Sequence, residues 1–136
     1  MIIRFANPED ITWLHNHDHH IAEEELRTLI QLQRVLIAET DGIPVGWLRW
    51  NLFWDNTPFM NMLYMLESHR RVGIGTLLVQ HWEHLMDSQG YSAVMTSTLS
   101  NEEAQHFYRK HGYRDSGALM LPGEALEIIF YKELKP

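Results

Sequence analysis

Residues Arg70-Arg71-Val72-Gly73-Ile74-Gly75-Thr76 set two guanidinium groups and two glycines directly ahead of an apolar helical repeat. The first N–H groups of a helix have no partner within it and sit at the positive end of its dipole, so such a segment can hold an anion. Glycine at 73 and 75 removes the side chains that would keep a pyrophosphate off the backbone. Arg70 and Arg71 add paired N–H donors suited to phosphate oxygens. The segment lacks the Gly-Lys-Ser/Thr ending of a nucleoside triphosphate loop, and it lacks the third glycine and distal acid of a dinucleotide fold. What remains is a diphosphate held without metal or ribose recognition from this loop.

A second group lies about 25 residues on: Asn101, Ala104, Phe107, Tyr108, then Gly112-Tyr113. Positions 101, 104 and 108 fall on one stripe of a helix, because seven residues make nearly two turns. That stripe offers an amide, a small residue for close approach and a phenol, with Phe107 turned more toward the core. Read alone, it is more readily an ordinary amphipathic helix in which Tyr108 packs and hydrogen-bonds at its tip.

Histidines 15, 17, 19 and 20, with Asp18, form a third group. The His15–His19 spacing could share a metal on a helix, but the His-Glu-x-x-His pattern is absent and no cysteine assists. A polar connection between two helices is the preferred reading. With no cysteine in the chain, a thiolate nucleophile and disulfides are both excluded.

Two of these segments resemble one family. Leu63-Tyr64-Met65 followed by residues 70–75 is similar to the acetyl-CoA signature of the GNAT N-acetyltransferase superfamily, Gln/Arg-x-x-Gly-x-Gly/Ala, met here by Arg70, Gly73 and Gly75. Residues 101–113 resemble its Asn-x-x-Ala-x-x-x-Tyr…Gly-Phe/Tyr pattern, met by Asn101, Ala104, Tyr108, Gly112 and Tyr113. The resemblance implies acetyl-CoA as co-substrate, its pyrophosphate on the amides of Val72, Gly73, Ile74, Gly75 and Thr76. Its pantetheine arm would pair with the backbone at Tyr64, Met65 and Leu66 like an added strand. Asn101 would bond pantetheine or a nearby water, and Tyr108 would stand beside the sulfur.

Acetyl transfer to an amine requires a neutral nucleophile, yet an alkyl ammonium with a pKa near 10.4 is under about one part in a thousand neutral at pH 7. Direct attack in a ternary complex is expected, since no cysteine can carry the acyl group. Tyr108 is the expected general acid for the thiolate, and a backbone N–H near Met65 the expected polarising donor. The base is open. Phe59-Met60-Asn61-Met62, where the family often carries an acid, has none; Glu67 is the candidate carboxylate, with a water chain to a distant acid as the alternative.

These groups need a frame. Ile2–Ala6 reads as a strand, Asn7-Pro8-Glu9-Asp10 as a helix start, and about 21–33 as a helix with Leu26, Leu29, Ile30 and Gln33 at its spacing. Residues 35–40 and 43–51 around Asp41-Gly42 predict a hairpin. Asn56-Thr57-Pro58 breaks the pattern before a strand over 59–66. Ile74, Leu77, Leu78, Trp82, Leu85 and Met86 predict the strongest helix, stopped at Gly90. A strand over 91–98 precedes a helix ending at Gly112, with Ser100 and Glu103 as its capping box. Strands over 113–119 and 126–134 close the chain. The order predicts one α/β domain over residues 1–136, with about four helices on a mixed, mostly antiparallel sheet of about seven strands. The resemblance adds a splay between the fourth and fifth strands.

The length, 136 residues, suits one domain, and the net charge of −7 argues against nucleic-acid binding while suiting a cationic amine. No apolar run approaches the roughly 18 residues of a membrane span, and the first residues do not read as a secretory signal. The expectation is a soluble cytoplasmic acetyltransferase acting on a small-molecule or peptide amine. A catalytically silent acyl-CoA-binding module is the alternative, and a metal-binding regulator using the histidines a third. Trp47 or Trp54 is read as packing, or as lining an acceptor pocket or a homodimer face.

Overall fold

The computed structural model describes residues 1–135. Its elements are β1 (Ile2–Phe5), a 3-10 turn (Pro8–Asp10), α1 (Ile11–His17), α2 (Glu23–Gln31), β2 (Val35–Thr40), β3 (Ile43–Phe53), β4 (Thr57–Met65), a 3-10 turn (Glu67–His69), α3 (Ile74–Ser88), β5 (Ala93–Leu99), α4 (Ala104–Lys110), β6 (Arg114–Leu119) and β7 (Glu127–Glu133). The strands form a seven-stranded sheet in the order β1-β2-β3-β4-β5-β7-β6. The paired neighbours β1/β2, β2/β3, β5/β7 and β6/β7 are antiparallel. β4 and β5 run parallel, with Phe59↔Met95 and Met60↔Thr96 paired among the described residues. This is the mixed α/β sheet with four helices that the element order predicts, and the expected splay is a parallel ladder that stops after two rungs.

Backbone contacts divide the chain into two compact units, Met1–Asn51 with Met62–Trp82, and Leu52–Asn61 with Glu83–Pro136. In the first, Asn7 caps the opening turn: its side chain accepts from Glu9 N–H at 2.9 Å, while Asp10 accepts from Asn7 N–H at 2.8 Å. Asp10 also takes two bonds from Arg4, at 2.8 and 2.9 Å. Burial pushes the Asp10 carboxyl up, but these donors overcome it and hold it below its usual value. The Asp41-Gly42 hairpin forms as its dipeptide dictates, both residues left-handed at φ 53° and 77°. Leu14, Leu26, Leu29, Ile30, Val35, Ile37 and Trp47 share one core, with Trp13 packed on its edge. Each such side chain contributes about 1.5–3 kcal/mol through burial.

Four sequence expectations are decided here. Gln33 lies beyond α2, left-handed at φ 57° and exposed, because the chain must reverse into β2. α1 runs on through His17, so the histidine group is half helix; Asp18 caps it in an extended conformation, and His15 and His19 share no helical face. Trp47 is as buried as Trp50, since β3 is covered on both faces from Val45 to Trp50. Leu77 stands exposed on α3, while Val79 takes a core position beside Leu78 and Trp82.

In the second unit β7 lies between β5 and β6, with Phe130 fully buried. Tyr113 donates to Glu83 at 2.7 Å and Lys132 donates to the other oxygen of Glu83 at 2.8 Å. Burial, then the Glu83 charge, drives the Tyr113 phenol far up, so it stays a donor. β3 and β4 are joined by Trp54-Asp55-Asn56, in which Trp54 and Asp55 are left-handed and Trp54 is 79% exposed. Pro58 lies within β4, where the sequence suggested a break.

Candidate functional site

In the first unit, β4 ends at Met65 against β3. Gly46 of β3 permits that approach, because a Cβ there would run into the Met65 side chain and lie 2.8 Å from the Tyr64 carbonyl oxygen. Leu66 N–H donates to Val45 O at 2.8 Å, so this amide of the strand end is already spent. Arg70 turns back: its Nε donates to Met65 O at 3.0 Å and its guanidinium lies over the Tyr64 ring, 4.9 Å from the centroid. Of the two arginines read as phosphate donors, Arg70 therefore also clamps the strand end. Arg71 extends into solvent.

The loop itself is strained in the way an anion cradle requires. Arg71 is left-handed at φ 64° and Gly73 at φ 86°. The former costs about 1–2 kcal/mol in a residue with a Cβ, a burden usually retained at functional turns. Val72 between them is 67% exposed. Intrahelical bonding starts with Leu77 N–H to Gly73 O at 3.1 Å, so Gly73, Ile74, Gly75 and Thr76 form the first turn of α3 with their amides at its positive end. Turns of this kind bring successive amides to one side, where a phosphate fits. Glu67, the candidate carboxylate, stands exposed in the 3-10 turn between.

A ring system runs from this strand end to α1. The Trp47 and Tyr64 centroids are 5.0 Å apart, Trp13 meets Trp47 edge-on at 5.5 Å, and His17 stacks on Trp13 at 4.3 Å. Below it lies a buried ion pair that sequence reasoning missed. Asp18 is 2% exposed and accepts from Arg49 Nε at 2.7 Å, Arg49 Nη2 at 3.3 Å, Trp47 Nε1 at 3.0 Å and His20 N–H at 3.2 Å. Burial raises the Asp18 carboxyl, and these donors, Arg49 foremost, more than reverse it. The available signal was Arg49 itself: an arginine inside Val45-Gly46-Trp47-Leu48-Arg49-Trp50 must find a buried acid.

In the second unit, α4 begins at Ala104 with Glu103 as an unbonded cap, so the Ser100–Glu103 capping box does not form. Asn101 sits in the preceding turn, not on a stripe with Ala104 and Tyr108. Tyr108, not Phe107, is the core residue of this helix: Tyr108 is 6% exposed and Phe107 half-buried. The Tyr108 hydroxyl bonds Thr96, whose own hydroxyl donates to Met60 O at 2.9 Å. Met60 and Thr96 form the last rung of the parallel ladder. The phenol is thus fixed at the point where β4 and β5 cease to pair. Burial pushes its pKa up to about 12.

The sheet order, with its brief parallel join and a glycine turn opening α3, places the chain in a recognisable class of mixed α/β proteins. More specifically, the chain belongs to the acetyltransferase (GNAT) family, whose profile matches residues 4–113. It is similar to the uncharacterized N-acetyltransferase YjcF of Bacillus subtilis (strain 168), 30% identical over 93 residues, or 68% of this chain. The chain spans 64% and 58% of the length of the two curated relatives it matches. Ard1 from Thermoplasma volcanium superposes with a TM-score of 0.84 at 18% identity, covering 97% of this chain and 96% of that one. The PaiA N-acetyltransferase from Thermoplasma acidophilum, in complex with coenzyme A, gives 0.77 at 17% identity, covering 97% and 98%. At such identities the structural likeness establishes the fold. Among the described residues, no helix is long and apolar enough to cross a membrane.

Proposed function

We propose that this acetyltransferase transfers an acetyl group from acetyl-CoA to a primary amine, on a small molecule or a peptide, by direct attack in a ternary complex. The 136 residues act in this reading as one acyltransferase domain of the cytoplasm. The observation that carries it is the left-handed pair Arg71 and Gly73 ahead of α3. That conformation suits a diphosphate on the amides of Val72, Gly73, Ile74, Gly75 and Thr76, with Arg71 beside it. The coenzyme in the similar PaiA protein supports the same ligand here.

Acetyl-CoA, when bound, supplies the activated acyl carbon. The chain's own residues align and protonate. Tyr64, Met65 and Leu66 present the strand end on which the extended arm lies, held in place by Arg70. Asn101, Ala104 and Phe107 are assigned to coenzyme binding in this reading. Tyr108, kept protonated by burial, gives its proton to the departing sulfur. Aligning two substrates in one complex supplies much of the remaining acceleration.

A catalytically silent acyl-CoA-binding module is the second reading, favoured by the absence of an acid in residues 59–62. Calorimetry with acetyl-CoA, followed by thiol release over a panel of primary amines, decides between them. Binding with turnover is expected. Binding without turnover on any amine selects the silent module, and failure to bind overturns both.

A further inference from the structure

Resting on the proposed acetyl transfer, one role is open: the group that removes a proton from the acceptor ammonium, for which the sequence offered Glu67, exposed in the 3-10 turn after β4. Phe59-Met60-Asn61-Met62 offers no carboxylate. Asp18 is near the ring system but holds four hydrogen bonds and neutralises Arg49, so taking a proton would leave a buried cation unpaired. We propose that His17 is this proton acceptor, acting through Nε2.

The geometry fixes which nitrogen is basic. His17 Nδ1 lies 2.7 Å from Trp13 O, and a carbonyl can only accept, so Nδ1 carries the hydrogen. In the neutral ring Nε2 is then the lone-pair nitrogen. Its orientation is held twice, by that bond and by stacking on Trp13 at 4.3 Å. The ring also meets Trp47 edge-on at 6.5 Å, and Trp47 touches Tyr64 at the strand end. His17 is therefore two ring contacts from the backbone on which the coenzyme arm is proposed to lie. The half-buried Trp13 indole suits the stem of an alkyl ammonium, whereas Trp47 behind it is closed to solvent. His17 itself is exposed, so a captured proton can pass to water.

The charged and titratable groups around it are few in kind. From β3 and the α1 cap come Arg49 and Asp18, closed on each other. Tyr64 comes from β4 with Arg70 stacked on it. His15, His19 and His20 share its own segment. α2, packed on α1, carries Glu23, Glu24 and Glu25 in its first turn, Glu23 paired with Arg27.

The protons balance. The ammonium loses one to Nε2, which returns it to water. The neutral nitrogen forms the N–C bond as the thioester C–S bond breaks. The nitrogen sheds its second proton, and the sulfur gains one as thiol.

The test compares wild type, His17→Gln and His17→Ala in kcat/KM against pH, with acetyl-CoA affinity and melting temperature measured in parallel. Expected is a fall of about 10²- to 10⁴-fold with acetyl-CoA affinity kept. The acid limb of the wild-type profile should vanish in both variants, and added imidazole should restore turnover to His17→Ala. His19→Gln should keep the wild-type profile. A normal rate and profile in His17→Gln overturns the role, as does a loss in His17→Ala that imidazole does not rescue while the melting temperature holds. A wild type that releases no thiol on any amine overturns the underlying transfer reading, and the base with it.

Discussion

Tyr108 and Asp18 are both buried polar groups, but their surroundings send them opposite ways. For the phenol burial dominates and the Glu102 charge acts the same way, so the proton stays on. Tyr108→Phe should then lower kcat by about 10- to 1000-fold with acetyl-CoA affinity nearly unchanged, as expected for a lost acid; an unchanged kcat would reduce the phenol to packing. Asp18 is instead held ionised by Arg49. Asp18→Asn strands that guanidinium in the core and should cost about 3–5 kcal/mol in denaturant unfolding. Because the folded carboxyl is depressed, its contribution is full above the unfolded value, about 3.9, and is lost as pH falls through the folded one. Wild type should therefore lose stability in acid below about pH 4 more steeply than the variant. Equal slopes would remove Asp18 from the account. Neither pairing could be read locally: Asp18 meets its partners from 29 and 31 residues away.

Among elements, those fixed by short-range rules were the legible ones. Asp41-Gly42 needs positive φ at both positions, and α3 has enough apolar periodicity to announce itself. α4 is seven residues long, too short to show where it begins, so Asn101 was assigned to a helix that starts three residues later. The histidine segment misled for the same reason, since α1 is also only seven residues and its end is set by Asp18 bonding in the core. The turn before α3 offers the cleanest element-level test. At Gly73 a Cβ would meet nothing within 4 Å in the protein, but φ is 86°. Gly73→Val should lower the melting temperature only modestly while abolishing acetyl-CoA binding by calorimetry, because the added methyls occupy the space assigned to phosphate. Retained affinity would detach the ligand from this turn. Gly46→Ala should behave differently, losing stability as well, since its Cβ collides with Met65.

For the whole molecule, the succession of elements along the chain followed from the sequence, whereas the place of β7 between β5 and β6 is a long-range pairing that no local pattern encodes. If the chain works as one domain, scanning calorimetry should give a single transition whose calorimetric and van't Hoff enthalpies agree. Coenzyme A at 100 times its Kd should stabilise that transition by about 2.7 kcal/mol, a shift of several degrees. Two transitions with only one responding would end the single-domain reading. The five tryptophans supply a way to watch the acceptor side directly. Trp47, Trp50 and Trp82 are sequestered, whereas Trp54 juts into water. Removing that one outlying indole by Trp54→Phe should strip the red edge from the emission spectrum. The remaining light would come from interior rings. With His17 lying against Trp13 at 4.3 Å, an amine seated beside that pair would then announce itself as a change in the light of these inner rings.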